Sequence, residues 1–273
     1  MHVAQLHIYP VKSLRGLTVP RVEIDPLGSV GDRRFMVVDP EGSFLTQRTL
    51  ARMALVGTAI DEACLTLFSD GFGDVRIRRT PDPGSPTVRV RVWKSEGLEA
   101  EDCGAEPAEW LSRVIGTRCR LVRIGAGFRR PVRPSAARPG DLVAFADAFP
   151  FLVVTRASLD DLNARIVEQG GSPVPMDRFR PNIVVDGCTA FAEDAWKRVR
   201  VGQAVFRIAG PCARCVVTTT DQVTGDREAE PLLTLATYRR DPTETTHVNF
   251  GQNLVNESKA GFIRVGDPVE VID

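Results

Sequence analysis

The stretch Val88-Arg-Val-Arg-Val-Trp93 decides the class of fold. Its apolar and charged residues alternate with a period of two, which is the pattern of a β-strand with one buried face. Similar short apolar runs recur along the chain, at residues 3–9, 35–38, 65–68, 182–185, 204–208 and 215–219. Strands are therefore the main predicted elements.

Glycine-centred turns connect several of these runs. The segments Val199-Arg-Val-Gly-Gln-Ala-Val205 and Ile263-Arg-Val-Gly-Asp-Pro-Val269 each predict a strand, a tight turn and a second strand. Pro139-Gly-Asp-Leu-Val143 is a candidate for a third turn of this kind. Many short strands joined by such turns favour a β-barrel over a doubly wound sheet.

The sequence predicts few helices. Residues 108–115 place four large apolar side chains on one helical face. In residues 158–168, Ser158 and Asp161 resemble a capping box at the start of an amphipathic stretch. A third, short helix is predicted after Pro231. The expected fold class is thus mixed α+β, mainly β.

Composition and charge exclude several functional classes. Of the 273 residues, 43% are hydrophobic and 26% are charged, as in ordinary globular proteins. Lys plus Arg and Asp plus Glu both number 35, so the zero net charge disfavours binding of nucleic acid through a basic face. No apolar run is long enough for a membrane helix, and the first residues do not form a signal peptide. We expect a cytoplasmic protein that binds neither nucleic acid nor membrane.

A proline-, glycine- and arginine-rich segment, GAGFRRPVRPSAARPG at residues 125–140, has the composition of a loop or domain boundary. The boundary is expected just before it, which gives an N-terminal domain at residues 1–121 and a C-terminal domain at residues 122–273. Most of the arginines in this segment are interpreted as solvent-exposed.

The motif Cys212-Ala-Arg-Cys215 is the sharpest local feature. A redox dithiol needs its first cysteine at a helix start, whereas the β-branched residues that follow this motif predict a strand. A zinc site needs a second pair of ligands, which the sequence does not offer. Two interpretations of the motif remain: a single thiolate beside the cation of Arg214, or two packed thiols without a chemical role. The other four cysteines are interpreted as buried, reduced thiols.

Three further segments have the residues of anion-binding elements: Pro10-Val-Lys-Ser13, Gly31-Asp-Arg-Arg-Phe35 and Arg178-Phe-Arg-Pro-Asn182. Each places a lysine or arginine next to a predicted strand. Arginine binds phosphate through two parallel hydrogen bonds, and lysine adds a compact charge. The glycine-rich loops of nucleotide-binding folds are missing from the sequence.

These segments belong to blocks that identify a family. In order, they are YPVKSLRG (9–16), GDRRFMVVDPEGSFLTQR (31–48), FPFLVVTRASLDDLN (149–163), RFRPNIVVDG (178–187), CARCVVTTTDQVTG (212–225), HVNFGQNLV (247–255) and VGDPVEV (265–271). The chain resembles the MOSC-domain proteins, named after the C-terminal domain of molybdenum cofactor sulfurases, with their N-terminal β-barrel region. Within this family it is most similar to the amidoxime reducing components and the bacterial reductases of N-hydroxylated bases.

The resemblance implies a β-barrel MOSC domain and a smaller β-rich N-terminal domain, with residues 1–33 packing with the C-terminal domain. It also implies a molybdenum cofactor (Mo-molybdopterin) between the two. By position in the matched blocks, cofactor binding is expected of Lys12, Ser13, Arg33, Thr155, Ser158, Arg180, Asn182, Arg214 and Asn253. Cys215 matches the thiolate ligand of the metal and is the expected catalytic residue. Asn253 stands where some relatives have tyrosine. This difference is expected to alter the entrance through which the substrate reaches the site.

The activity implied by the resemblance is reduction of small N-hydroxylated compounds, such as amidoximes and N-hydroxylated bases, to amines or amidines. The chain ends without the iron–sulfur domain that some bacterial relatives append, so electrons are expected from a separate flavin, haem or iron–sulfur protein. The alternative is a cofactor-binding or sulfur-carrier module without reductase activity.

Overall fold

The computed structural model describes residues 1–81, 84–132 and 137–273. Within these residues the chain is mixed α+β and mainly β, which confirms the predicted fold class. The strands are β1 His2–Ile8, β2 Leu17–Val19, β3 Arg21–Asp25, β4 Gly28–Ser29, β5 Phe35–Val38, β6 Gly57–Ile60, β7 Cys64–Ser69, β8 Gly73–Arg78, β9 Thr87–Val92, β10 Ser95–Asp102, β11 Arg120–Arg123, β12 Phe151–Thr155, β13 Ile183–Asp186, β14 Arg198–Val201, β15 Ala204–Ala213, β16 Asn249–Asn256, β17 Gly261–Arg264 and β18 Val269–Val271. The α-helices are α1 Ala105–Ile115, α2 Arg156–Glu168 and α3 Leu232–Tyr238. Short 3-10 helices span Ala51–Leu55, Met176–Phe179, Ala192–Ala195 and Val216–Thr219.

The largest sheet has eight strands in the order β18-β14-β15-β16-β12-β13-β1-β2. Its neighbours pair antiparallel except β12 and β13, which are parallel and connected through α2, because parallel neighbours need a long crossover. The first strand of the chain, β1, pairs with β13 from the second half. The small sheet β17-β3-β4 packs on this sheet, where Val22, Ile24 and Ile263 join its core around Phe151 and Phe206.

The N-terminal half forms a four-stranded sheet, β5-β11-β10-β9, and a three-stranded sheet, β6-β7-β8. Helix α1 covers them with the predicted apolar face, which includes Trp110 and Val114. The helix begins at Ala105, three residues before the predicted start, since Pro107 is tolerated in a first helical turn. The predicted boundary between residues 121 and 122 lies inside β11, and the division into two domains stays a prediction.

Helix α2 also begins earlier than predicted. Its N-cap is Thr155, the last residue of β12, whose side chain accepts a hydrogen bond from the Ser158 backbone N–H. The capping box predicted at Ser158 and Asp161 was therefore wrong by one turn. Threonine is also a preferred N-cap residue, so a helix start at Thr155 was equally compatible with the sequence.

Two strand predictions were wrong. Residues 216–219 form a 3-10 helix, because the Cys215 carbonyl accepts hydrogen bonds from both the N–H and the hydroxyl of Thr218. Such side-chain bonds to the nearby backbone compete with strand formation. In the segment at residues 263–269, the strands β17 and β18 do not pair with each other. They pair with β3 and β14 in different sheets. The hairpin at residues 199–205 is formed as predicted by β14 and β15.

All six cysteines are free thiols. Of the four interpreted as buried, only Cys119 is fully so, and the other three are partly exposed. No helix in the described ranges is both long and apolar enough to cross a membrane. The cytoplasmic location stays a prediction.

Candidate active site

One cavity of about 970 Å³ lies between the eight-stranded sheet and the N-terminal half of the chain. Eight of the ten predicted site residues line it: Lys12, Ser13, Arg33, Arg180, Asn182, Arg214, Cys215 and Asn253. They come from segments after β1, before β5, before β13, after β15 and within β16. The fold thus gathers side chains that are far apart in the sequence.

Strained backbone is concentrated around this cavity. Ser13, Arg33, Trp93 and Arg180 have φ values of 64°, 47°, 53° and 54°. They are four of the five non-glycine residues with positive φ in the described part of the chain, and all four line the cavity. Such conformations cost about 1–3 kcal/mol each and occur mainly where function requires them. The strain therefore marks the cavity as a functional site.

The cavity has an excess of positive charge. Seven cationic side chains line it in the described residues, namely Lys12, Arg33, Arg48, Lys94, Arg130, Arg180 and Arg214. Only two lining carboxylates, Asp147 and Glu244, oppose them in the same part of the chain. Charge of one sign inside a cleft attracts ligands of the opposite sign. The cavity is therefore suited to an anionic ligand.

Asp147 joins two of these cations. Its carboxylate forms ion pairs with the buried ammonium of Lys12 and with Arg48 Nη2 (3.3 Å). Desolvation opposes ionisation of Asp147, but the charges of Lys12 and Arg48 outweigh it and hold the pKa of the carboxyl below its usual range. Burial lowers the pKa of Lys12, and the Asp147 carboxylate opposes that shift. Asp147 thus favours the charged form of Lys12 inside the cavity wall.

Asn182 orients an arginine as well as lining the cavity. Its Oδ1 accepts hydrogen bonds from Arg33 Nη1 (3.1 Å) and from the Leu152 backbone N–H (3.2 Å). Its Nδ2 donates to the His7 carbonyl (3.2 Å), so the amide connects β1 and β12. Arg33 Nη1 also donates to Asp32 Oδ2 (2.6 Å). These contacts fix the Arg33 guanidinium before any ligand binds.

The cation beside Cys215 is Arg48. Arg48 Nε donates to Cys215 Sγ at 3.3 Å, whereas Arg214 Nη1 donates to Cys212 Sγ at 2.9 Å. The prediction that Arg214 accompanies Cys215 was therefore wrong. In an extended chain, residues two apart point to the same side and adjacent residues to opposite sides. Arg214 therefore shares a side with Cys212, and a distant segment supplies the cation for Cys215.

The backbone argues against a dithiol at this motif. Cys212 lies in β15, and the chain is still extended at Cys215, with φ −133° and ψ 178°. Three extended residues span roughly 10 Å, whereas a disulfide needs Cα atoms within about 7 Å of each other. The two thiols also have different arginine partners. The two sulfurs therefore lie in separate hydrogen-bonding environments.

Among the residues of the cavity wall that sequence reasoning missed are Arg48, Trp93, Asp147 and Arg130. Arg48, Trp93 and Asp147 form one cluster, in which the Arg48 guanidinium lies 4.3 Å from the Trp93 ring centroid and Trp93 Nε1 donates to Asp147 Oδ1 (3.2 Å). Arg130, interpreted as part of a solvated loop, is 4% exposed and donates to the Ala144 and Asp147 carbonyls. Only Arg48, which ends a family-matched block, carried a signal in the sequence. Residues 133–136 of the same loop lie outside the described residues.

Thr155 and Ser158 do not line the cavity. Their side chains are fully buried and bind the buried Glu193 carboxylate, with Thr155 Oγ1 at 3.0 Å from Oε2 and Ser158 Oγ at 2.9 Å from Oε1. Burial raises the pKa of Glu193, and the two hydroxyl donors oppose that shift. The structure therefore gives these residues a role in the packing of α2. At the cavity, Asn253 donates from Nδ2 to the Pro211 carbonyl (3.0 Å).

The lining residues fit a molybdenum cofactor. The cationic wall suits an anionic pterin phosphate, and Arg214 Nε is buried without a hydrogen-bond partner among the described residues. A soft thiolate suits a metal of this type. The described ranges contain no cluster of three or more His, Cys, Asp or Glu that could hold a metal ion. A metal at Cys215 would thus need most of its ligands from an organic group.

Comparison with known proteins identifies the family. The family model of the MOSC domain matches residues 141–270, and that of the MOSC N-terminal beta barrel domain matches residues 1–118. Mitochondrial amidoxime-reducing component 1 of Mus musculus is 38% identical over 289 residues, which cover 99% of this chain and 82% of the relative. The human proteins named mitochondrial amidoxime-reducing component 1 and 2 are 37% and 34% identical, covering 99% and 98% of this chain and 82% of each relative. The chain therefore belongs to the MOSC family, in which its MOSC domain follows a MOSC N-terminal beta barrel domain.

Proposed function

We propose that this protein is a molybdenum-cofactor-dependent reductase of small N-hydroxylated compounds that receives electrons from a separate donor protein. The observation that carries the proposal is the cationic cavity with Cys215 in its wall. The relatives named amidoxime-reducing components support the reaction class, since they align with nearly the whole chain.

The cavity residues divide the binding of the cofactor between them. Lys12, Ser13, Arg33 and Arg180 would bind the anionic phosphate side. Arg214 and Asn253 line the same cavity, and Cys215 would ligate the metal. When bound, the cofactor supplies two-electron oxygen-atom chemistry.

The protein contributes orientation of the sulfur and an apolar wall. Arg48 donates a hydrogen bond to Cys215 Sγ and is itself held by Asp147 and Trp93, so the sulfur has a fixed partner. Hydrogen bonds of this kind around a metal ligand tune its donor strength. Phe44 packs against Trp93 with ring centroids 4.7 Å apart, and these rings form an apolar wall for the organic part of a substrate.

Metal analysis and turnover test the proposal together. Protein made in a host that synthesises the cofactor should contain molybdenum and yield a fluorescent pterin after oxidation. It should also reduce benzamidoxime to benzamidine with dithionite-reduced viologen as electron source, and Cys215→Ser should not. Bound cofactor without turnover would favour a cofactor-binding or sulfur-carrier module. Absence of both metal and pterin after reconstitution would contradict the proposal.

A further inference from the structure

The Tyr9 ring lies against two of the cavity arginines. Its ring is 3% exposed, and the guanidinium carbons of Arg33 and Arg180 lie 4.3 and 4.2 Å from the ring centroid. Both arginines have the left-handed backbone conformation described above. One aromatic ring thus contacts two cations that different segments of the chain supply.

Hydrogen bonds tie Tyr9 to both of those segments. The Tyr9 hydroxyl donates to the Pro181 carbonyl (3.1 Å), next to Arg180. Its backbone N–H donates to Asp32 Oδ1 (2.8 Å), and its carbonyl accepts from the Arg33 N–H (2.7 Å). The ring position is therefore coupled to the position of each arginine backbone.

Gly16 adds a steric condition on the same ring. A Cβ atom at Gly16 would overlap the Cε1 and Cδ1 atoms of Tyr9. The φ of Gly16 is not positive, so the backbone itself would accept another residue. Glycine is therefore needed here for space, and the space is occupied by the Tyr9 ring.

The two guanidinium groups need compensation for their like charges. Burial lowers the pKa of Arg180 to about 10, and the charge of Arg33 adds to this effect, whereas the carboxylates of Asp32 and Asp147 oppose it. Arg33 has the Asp32 carboxylate, but Arg180 has no carboxylate within ion-pair distance among the described residues. The electron-rich face of an aromatic ring attracts a cation, most strongly when both are desolvated. The Tyr9 ring thus takes the place of a counter-charge without occupying the donors that a ligand would use.

We infer that Tyr9 is a positioning residue whose ring holds the guanidinium groups of Arg33 and Arg180 together as a preformed grip for a phosphate group. The identity of that phosphate as part of the pterin cofactor rests on the proposed function. The grip itself does not, because any small phosphate anion that enters the cavity would meet the same two guanidinium groups.

Binding of inorganic pyrophosphate to the cofactor-free protein, measured by calorimetry, tests the inference. Tyr9→Phe keeps the ring and should bind within about twofold of the unmodified protein. Tyr9→Leu removes the aromatic face and should weaken binding on the order of tenfold. Gly16→Ala displaces the ring without changing a ligand-binding side chain, and it should weaken binding several-fold. Phe206→Leu, a truncation in the main core, controls for general loss of stability and should bind normally.

Ring-current shifts provide a second measurement if a variant binds too weakly or is unstable. The side-chain N–H resonances of Arg33 and Arg180 should be shifted upfield in the unmodified protein and in Tyr9→Phe. Equal pyrophosphate affinity in Tyr9→Leu and Tyr9→Phe, unshifted arginine resonances, or no pyrophosphate binding by the unmodified protein would each overturn the inference. If affinity follows the predicted order but neither the unmodified protein nor any variant ever contains molybdenum, the proposed function is contradicted. The role of Tyr9 in positioning the two arginines for phosphate binding would still be supported.

Discussion

The two cysteines of the Cys212–Cys215 motif should respond very differently to serine substitution. Loss of partners that only support a metal ligand costs about 10–100-fold in metal affinity or activity, so loss of the ligand itself in Cys215→Ser should cost more than about 100-fold. Cys212 Sγ accepts a hydrogen bond from Arg214 Nη1 at 2.9 Å and has a long contact of 4.0 Å to the Ala213 carbonyl. A serine hydroxyl can accept the same bond, so Cys212→Ser should cost about 1 kcal/mol of stability or less and keep most activity.

The assay is benzamidoxime reduction with reduced viologen, alongside the molybdenum content of each purified variant. Urea unfolding of both variants controls for misfolding. Comparable loss of activity in the two variants would support a dithiol instead, because thiol–disulfide exchange needs both sulfurs. Activity lost in Cys212→Ser but retained in Cys215→Ser would show that the ligand assignment is reversed. Unchanged activity in both would refute a thiolate role.

Three further predictions follow from the contacts described. Arg180→Ala should lower the retained molybdenum far more than Arg129→Ala at an exposed loop position. Removing a guanidinium that is proposed to bind phosphate costs about 1–3 kcal/mol, and equal metal contents would contradict this. Thr155→Val removes the N-cap of α2 and a hydrogen bond to buried Glu193, so it should lower the free energy of unfolding in urea by about 2–3 kcal/mol. The metal content should stay unchanged, and a selective loss of metal would contradict the packing role. Burial lowers the pKa of His7 to about 4, below its unfolded value, so stability present above about pH 6.5 is lost as pH falls towards 4. His7→Gln should therefore remove about 2 kcal/mol of the difference in unfolding free energy between pH 7 and pH 5, and an unchanged difference would refute it.

Local patterns were sufficient to predict about half of the strands and the three α-helices of the described residues. The period-two alternation at residues 88–93 predicts β9, and the apolar face of residues 108–115 predicts α1, because side-chain direction repeats with a fixed local geometry. One error occurred where a nearby hydrogen bond competes with the pattern, and another where two neighbouring strands pair in different sheets. The Thr218 hydroxyl bond to the Cys215 carbonyl replaced a predicted strand with a 3-10 helix.

The sequence by itself determined the fold class, the family and four of the seven cations that line the cavity in the described residues. Only the tertiary structure decided which charges meet. Arg48 is 167 residues away from Cys215 and yet donates to its sulfur, while the adjacent Arg214 does not. Tyr9 likewise meets Arg180 only because β1 pairs with β13. Alternation along a chain is a local property that a sequence displays, whereas contacts between distant side chains depend on strand order and register.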